Sequence, residues 1–233
     1  MAMKATAFAF GLIAAFSVSA RADFTIVQKV EGKGEAKEIV LKIKGDKIRM
    51  EASPQVTMIV DGRTGDMITL MNAQKKIMRI SGEKTKAIAE MATKYSGTTA
   101  EKTKIVATGK KMTINGYEAE EYVAETKAFT AHYWIAPSFP NSAEIMKQLQ
   151  AVVPAAWSDL AKGVMDYRDL PGLPLRTQVN LGDGDVISSL VAVKTDPISD
   201  AEFMTPKDFT EVKLPNIQIS GDNPAPTAPA KRP

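Results

Sequence analysis

Ile39-Val40-Leu41-Lys42-Ile43-Lys44-Gly45-Asp46-Lys47-Ile48-Arg49-Met50-Glu51-Ala52 is the stretch whose reading decides the fold. Ile39, Leu41 and Ile43 alternate with Val40, Lys42 and Lys44, and Ile48, Met50 and Ala52 alternate with Lys47, Arg49 and Glu51. A period of two is that of a half-buried strand, and Lys44-Gly45-Asp46 turns the chain between the two runs. On the N-terminal side, Phe24 to Val30 reads as one more strand. On the C-terminal side, Ser53-Pro54 ends the second run. Gln55 to Val60 and Asp66 to Met71 follow, joined by Asp61-Gly62-Arg63-Thr64-Gly65, and then Lys75 to Ile80. Val56–Val60 and Met67–Met71 are largely apolar on both faces, so both faces need cover.

The period then changes. Ile88, Met91, Ala92 and Tyr95 fall at i, i+3, i+4 and i+7, one face of a helix that Ser81 can cap and Gly97 can end. Strands resume at Lys104–Ala107 and Lys111–Ile114. Asn115-Gly116 tolerates the positive φ of a type I′ turn into Tyr117–Glu125, and Phe129–Ala136 follows. Ile145, Met146 and Leu149 mark a short helix. Trp157, Leu160, Ala161, Val164 and Met165 mark an amphipathic one, with Pro154 suited to its start. Leu175–Leu181 and Val186–Lys194 form a last hairpin around Gly182-Asp183-Gly184-Asp185. The fold class expected is α+β: a curved antiparallel sheet, a half-barrel of about ten to eleven strands in meander order, with about three helices on its concave side.

At the N-terminus, Lys4 precedes an uncharged run from Ala5 to Ala20, and Ala20-Arg21-Ala22 has the small residues of an A-x-A cleavage site. Residues 1–22 therefore read as a secretory signal peptide, too short in its apolar run for a membrane span of ~20 residues. Residues 23–214 read as a single half-barrel-like domain. Residues 215–233 read as a Pro-rich disordered tail in which Ile217 and Ile219 alternate as a short edge strand would. The protein is expected to be exported, periplasmic or secreted, with no transmembrane segment. Without Lys4 and Arg21 the chain has 28 cations against 27 acids. That balance offers nucleic acid no electrostatic footing.

Cysteine is absent and His132 is the only histidine. This excludes a thiol nucleophile, disulfides and the common zinc sets. No P-loop, G-x-G-x-x-G or G-x-S-x-G occurs. His132 lies on the same strand face as Trp134 and reads as a packed or surface strand residue. Ser81-Gly82-Glu83-Lys84 matches S-x-x-K, but its companion motifs are missing and helix capping accounts for Ser81. Asp183 and Asp185 read as turn chemistry rather than a calcium loop. Glu118, Glu120 and Glu121 read as solvent-facing charge, Glu121 on the opposite side of its strand from the other two. Neither a cofactor nor a metal is expected.

Met50, Met58, Met67, Met71, Met78 and Met112 all fall in strand-like segments. Thioethers there serve as core filler, as soft ligands for monovalent copper, or as adaptable apolar surface for varied ligands. The copper reading lacks tight Met clustering or added His.

Lys44-Gly45-Asp46-Lys47-Ile48-Arg49-Met50-Glu51, Val60-Asp61-Gly62-Arg63-Thr64-Gly65-Asp66, Leu70-Met71-Asn72-Ala73-Gln74-Lys75-Lys76, Ile114-Asn115-Gly116-Tyr117-Glu118, Tyr133-Trp134-Ile135-Ala136 and Gly172-Leu173-Pro174-Leu175-Arg176 form a set. Together they resemble the bacterial exported family known as domain of unknown function 4412, over roughly residues 24–214. The resemblance implies no catalytic residues. It implies a layout similar to the periplasmic outer-membrane lipoprotein carriers, a half-barrel around an apolar cavity that takes acyl chains.

Three functions follow. The first is a binding module for an apolar small molecule or lipid, lined by Ile48, Met50, Met58, Met67, Met71, Met78, Trp157, Leu160 and Val164. The second is a structural or interaction protein with a filled core and no ligand, its protein partner unspecified. The third is an enzyme built on His132 with a carboxylate and a serine. The expectation is that the protein is not an enzyme.

Overall fold

The computed structural model describes residues 22–32, 34, 36–87, 104–125, 130–152, 170–180 and 184–212. The alternating runs form the strands β1 (Phe24–Glu31), β2 (Lys37–Lys44), β3 (Lys47–Ser53), β4 (Val56–Asp61), β5 (Met67–Met71) and β6 (Lys76–Ile80). Beyond the helix α1 (residues 82–87) come β7 (Ile105–Ile114), β8 (Tyr117–Glu125), β9 (Thr130–Ile135), the helix α2 (Ser142–Val152), β10 (Pro174–Asn180), β11 (Asp185–Lys194) and β12 (Thr210–Val212). Lys104–Ala107 and Lys111–Ile114 are one strand, β7, with a bulge between Ala107 and Lys111. Asn115 and Gly116 have φ of 52° and 82°, the left-handed pair that the β7–β8 hairpin requires. Ser81 caps α1, its Oγ accepting from Lys84 N at 3.3 Å.

All twelve strands form one sheet in the order β12-β6-β5-β4-β3-β2-β1-β11-β10-β9-β8-β7. The simple meander is thus corrected. Two meanders, β1–β6 and β7–β11, meet where β1 pairs antiparallel with β11, and β7 lies at the far edge. One-residue alternation reveals hairpins between neighbours but carries no signal for a joint between distant strands. The strand count is twelve rather than ten to eleven, because β12 pairs parallel with β6. Among the described residues there are two α-helices; most of the expected 81–97 helix and the 154–165 stripe lie outside those residues, as does the 215–233 tail. The sheet bends strongly. Asn115 Nδ2, at the tip of β7–β8, donates to Leu190 O on β11 at 2.8 Å, although β8 and β11 are three strands apart. A flat sheet would set them about 14 Å apart.

The main core gathers Phe24, Ile26, Ile43, Ile48, Ala131, Tyr133, Ile135, Leu175 and Leu190 of the sheet beneath Ile145, Met146 and Leu149 of α2. A second core occupies the other face of β4–β6, where Ile59, Leu70 and Ile77 pack with Ile198 and Phe203. The latter two belong to residues 195–209, which cross that face from the end of β11 to the start of β12. Polar contacts hold this strap along its length. Asp23 Oδ2 accepts from Ile198 N at 2.8 Å, Lys44 Nζ meets Asp200 at 2.9 Å, and Lys42 Nζ meets Glu202 at 3.0 Å. Arg49 Nη1 donates to Glu202 O at 2.9 Å, and Lys75 Nζ meets Asp208 at 2.9 Å. The strap explains half of the two-sided apolarity of β4 and β5: their alternate residues bury beneath it.

Candidate functional site

The other half lies on the opposite face, and strand register shows which residues share it. Leu41 stands opposite Met50, Met50 opposite Met58, Met58 opposite Thr69, and Thr69 opposite Met78. Ile48 stands opposite Val60, Val60 opposite Met67, Met67 opposite Ile80, and Val56 opposite Met71. Residues directly opposite across a ladder point to the same side. Met50, Met58, Met67, Met71 and Met78 therefore form one apolar field across β3–β6, on the face that α2 covers over β1–β3.

Ile48 and Val60 are buried, and Ile48 joins the main core; the five methionines are each half-buried. The site residues expected on the sheet thus lie on a single face. Trp157, Leu160 and Val164 lie outside the described residues. Met112 stands apart on the edge strand β7. The sequence reading omitted Leu41, Thr69 and Ile80, which the same alternation places on the face.

A groove of about 670 Å³ opens on the strap side, at the ends of β2–β4. Lys37, Glu38, Arg49, Glu51 and Asn72 line it together with Ala36, Val40, Pro54 and Thr57, so its lining is mixed polar and apolar. Arg49 is already engaged there, its Nε donating to Glu51 at 2.9 Å. Burial raises the Glu51 pKa, but Arg49 and Lys42 outweigh it and hold the carboxyl below its ordinary value. Of the charged residues lining the groove, Arg49 and Glu51 are paired with each other.

The solvent-facing reading of Glu121 is corrected: its side chain is 5 % exposed. Glu121 Oε1 lies 2.9 Å from His132 Nδ1, and Thr108 Oγ1 donates to Oε2 at 2.7 Å. Lys110 Nζ approaches to 3.5 Å. Burial is the largest influence on this carboxyl and raises its pKa. The bonds from Thr108 and His132 and the charge of Lys110 together outweigh burial, so the net shift is downward. The β7 bulge makes the cluster, because it turns Thr108 toward β8. Glu121 and His132 are diagonal neighbours, since Val123 stands opposite His132 and Trp134 opposite Glu121. The adjacent hydroxyl donates to the carboxylate and not to the imidazole, so this is no relay from a nucleophile through a base. Among the described residues no group of His, Asp and Glu could hold a metal ion, and no helix is long and apolar enough to cross a membrane.

No curated protein sequence matches the chain. Among solved structures, PNGF-II is similar at 17% identity over 82% of this chain, with a TM-score of 0.40. The chain spans 31% of the PNGF-II chain. The Mycobacterium tuberculosis lipoprotein LppX is similar at 12% identity, covering 75% of this chain and 88% of its own, with a TM-score of 0.37. MucB in complex with MucA(peri) is similar at 9% identity, covering 84% and 58%, with a TM-score of 0.38. Likeness this distant carries no inference about ligand or activity. The family described as domain of unknown function (DUF4412) matches residues 24–209, from the first residue of β1 to the end of the strap, and the chain belongs to it.

Proposed function

We propose that this chain is an exported, non-catalytic binding protein that holds an acyl-like ligand against the methionine face of β3–β6. The observation that carries the reading is the convergence of five half-buried methionines on one face. Unbranched thioether side chains re-pack around ligands of varied shape, which a face of Val and Ile does not do. A contiguous apolar face rimmed by polar residues is the kind of surface that marks a binding site. Each ligand methylene removed from water there contributes ~0.8 kcal/mol. Export rests on the leader pattern of residues 1–22.

Native mass spectrometry of protein isolated from its own envelope tests the reading. A co-purifying acyl-chain mass that organic extraction removes is the expected result. Protein without any bound mass, which also fails to take up a fluorescent fatty acid at micromolar concentration, would favour the filled-core interaction protein instead.

A further inference from the structure

Gln148 is the most deeply buried polar side chain of α2, at 1 % exposure. Its Nε2 donates to Ala22 O at 2.8 Å and approaches Glu144 Oε1 at 3.1 Å. Its Oε1 is buried and meets no donor among the described residues. A buried amide oxygen without a donor costs stability, so its presence asks what it is kept for. The neighbouring atoms supply an answer. Ala22 is the last residue of the A-x-A site, and its carbonyl belongs to the bond that leader removal would break. Asp23 N is bonded to the same carbon, about 2.3 Å from that oxygen. Downstream, Asp23 Oδ2 is tied to Ile198 N at 2.8 Å and Phe24 is buried at 1 %, so residue 23 is anchored whether or not the leader is present.

We propose that Gln148 and Glu144 form a receptor for the amino terminus created at Asp23. Cleavage by an envelope signal peptidase consumes one water: the C–N bond of Ala22–Asp23 breaks, hydroxide adds to the Ala22 carbonyl carbon, and the Asp23 nitrogen takes up protons to become an ammonium. The Ala22 acceptor leaves and a three-proton donor takes its place. Gln148 suits both states, because one amide carries a donor for the precursor carbonyl and an acceptor for the product ammonium. Glu144 adds a carboxylate beside the new charge. Among the described residues, the Asp23 carboxylate and Lys44 also stand near this point, with Lys44 Nζ engaged by Asp200 at 2.9 Å and by Ile198 O. Mature and precursor chains would thus be sealed at the same point of α2, with better satisfaction after processing. The inference rests on the export reading and not on any ligand of the methionine face.

Intact-mass measurement of the exported protein comes first and should show a chain beginning at Asp23. A retained leader, or a cut elsewhere, overturns the proposal. The mature protein, labelled with ¹⁵N, is then titrated by NMR at its terminal amine. The expected pKa lies about one unit above the ordinary 7.7–8.0 of an α-amino group and returns to that range in Glu144→Gln. Acetylating the terminal amine should lower the unfolding midpoint by several degrees. An ordinary pKa that Glu144→Gln leaves unmoved overturns the proposal even if the cut is at Asp23. The isosteric Glu144→Gln is the variant of choice because Gln148→Ala would open a void at a buried position of α2. Loss of acyl binding in these variants is not expected, which separates failure of this site from failure of the binding reading.

Discussion

Glu121 is an acid sealed inside a sheet, and its partners make an acid limb in the stability of the whole protein. Its folded pKa is lowered, so its contribution is complete above the ordinary carboxylate value of ~4.3. As pH falls through that value the unfolded chain takes up the proton first, and the contribution is lost until pH passes below the folded value. Glu121→Gln should therefore flatten the decline of stability between pH 5 and 3, measured by urea unfolding at a series of pH values. His132→Ala should lower stability near neutrality toward the low end of about 1.5–3 kcal/mol, since the imbalance of donors is felt by a buried carboxylate while the ring itself is 35 % exposed. Gly82 is a second residue under tight constraint. Its N–H donates to Asp66 Oδ1 at 2.8 Å, and a Cβ there would collide with the Thr64 carbonyl. Gly82→Ala should displace the start of α1 from the β4–β5 loop and lower the unfolding midpoint by several degrees.

The strap is the element that strand periodicity does not reveal. Ile198, Phe203 and Phe209 follow neither a period of two nor one of 3.6, and Pro197 and Pro206 mark the segment as irregular. Its function is nonetheless visible in the demand it meets: Val56–Val60 and Met67–Met71 are apolar on both sides and need cover. The hairpins, the Asn115-Gly116 turn and the Ser81 cap were legible because each is local chemistry. The β1–β11 joint, the Glu121 cluster and the strap were not, because each depends on residues far apart in the chain meeting in space. The Lys75–Asp208 pair is exposed at both ends and contributes little, while the pairs of Lys42, Lys44 and Arg49 are part-buried. Apolar burial holds it. Phe203→Ala should destabilise the protein by about 3–5 kcal/mol, whereas Asp208→Asn should leave the denaturation midpoint essentially unmoved, both measured by chemical denaturation.

At the scale of the molecule, the sheet separates two apolar faces with different fates. One is closed by the strap. The other is closed by α2 over β1–β3 and presents half-buried methionines over β3–β6. Among the described residues, this second region is where an acyl chain could gain most from burial. Met58 stands at its centre, opposite both Met50 and Thr69. Met58→Lys should leave the fold intact, because a half-exposed lysine can extend its charge to water, while weakening acyl binding at least tenfold. The most direct measurement is NMR of the protein with ¹³C-labelled methionine methyl groups, titrated with a fatty acid. The account predicts that the methyl signals of Met50, Met58, Met67, Met71 and Met78 shift together, while those of Met112 on β7 and Met204 in the strap stay still. These two controls are 37 % and 68 % exposed, so they would report any nonspecific coating of the surface. Stationary signals from the five, or equal shifts in Met112 and Met204, would contradict a ligand site on this face.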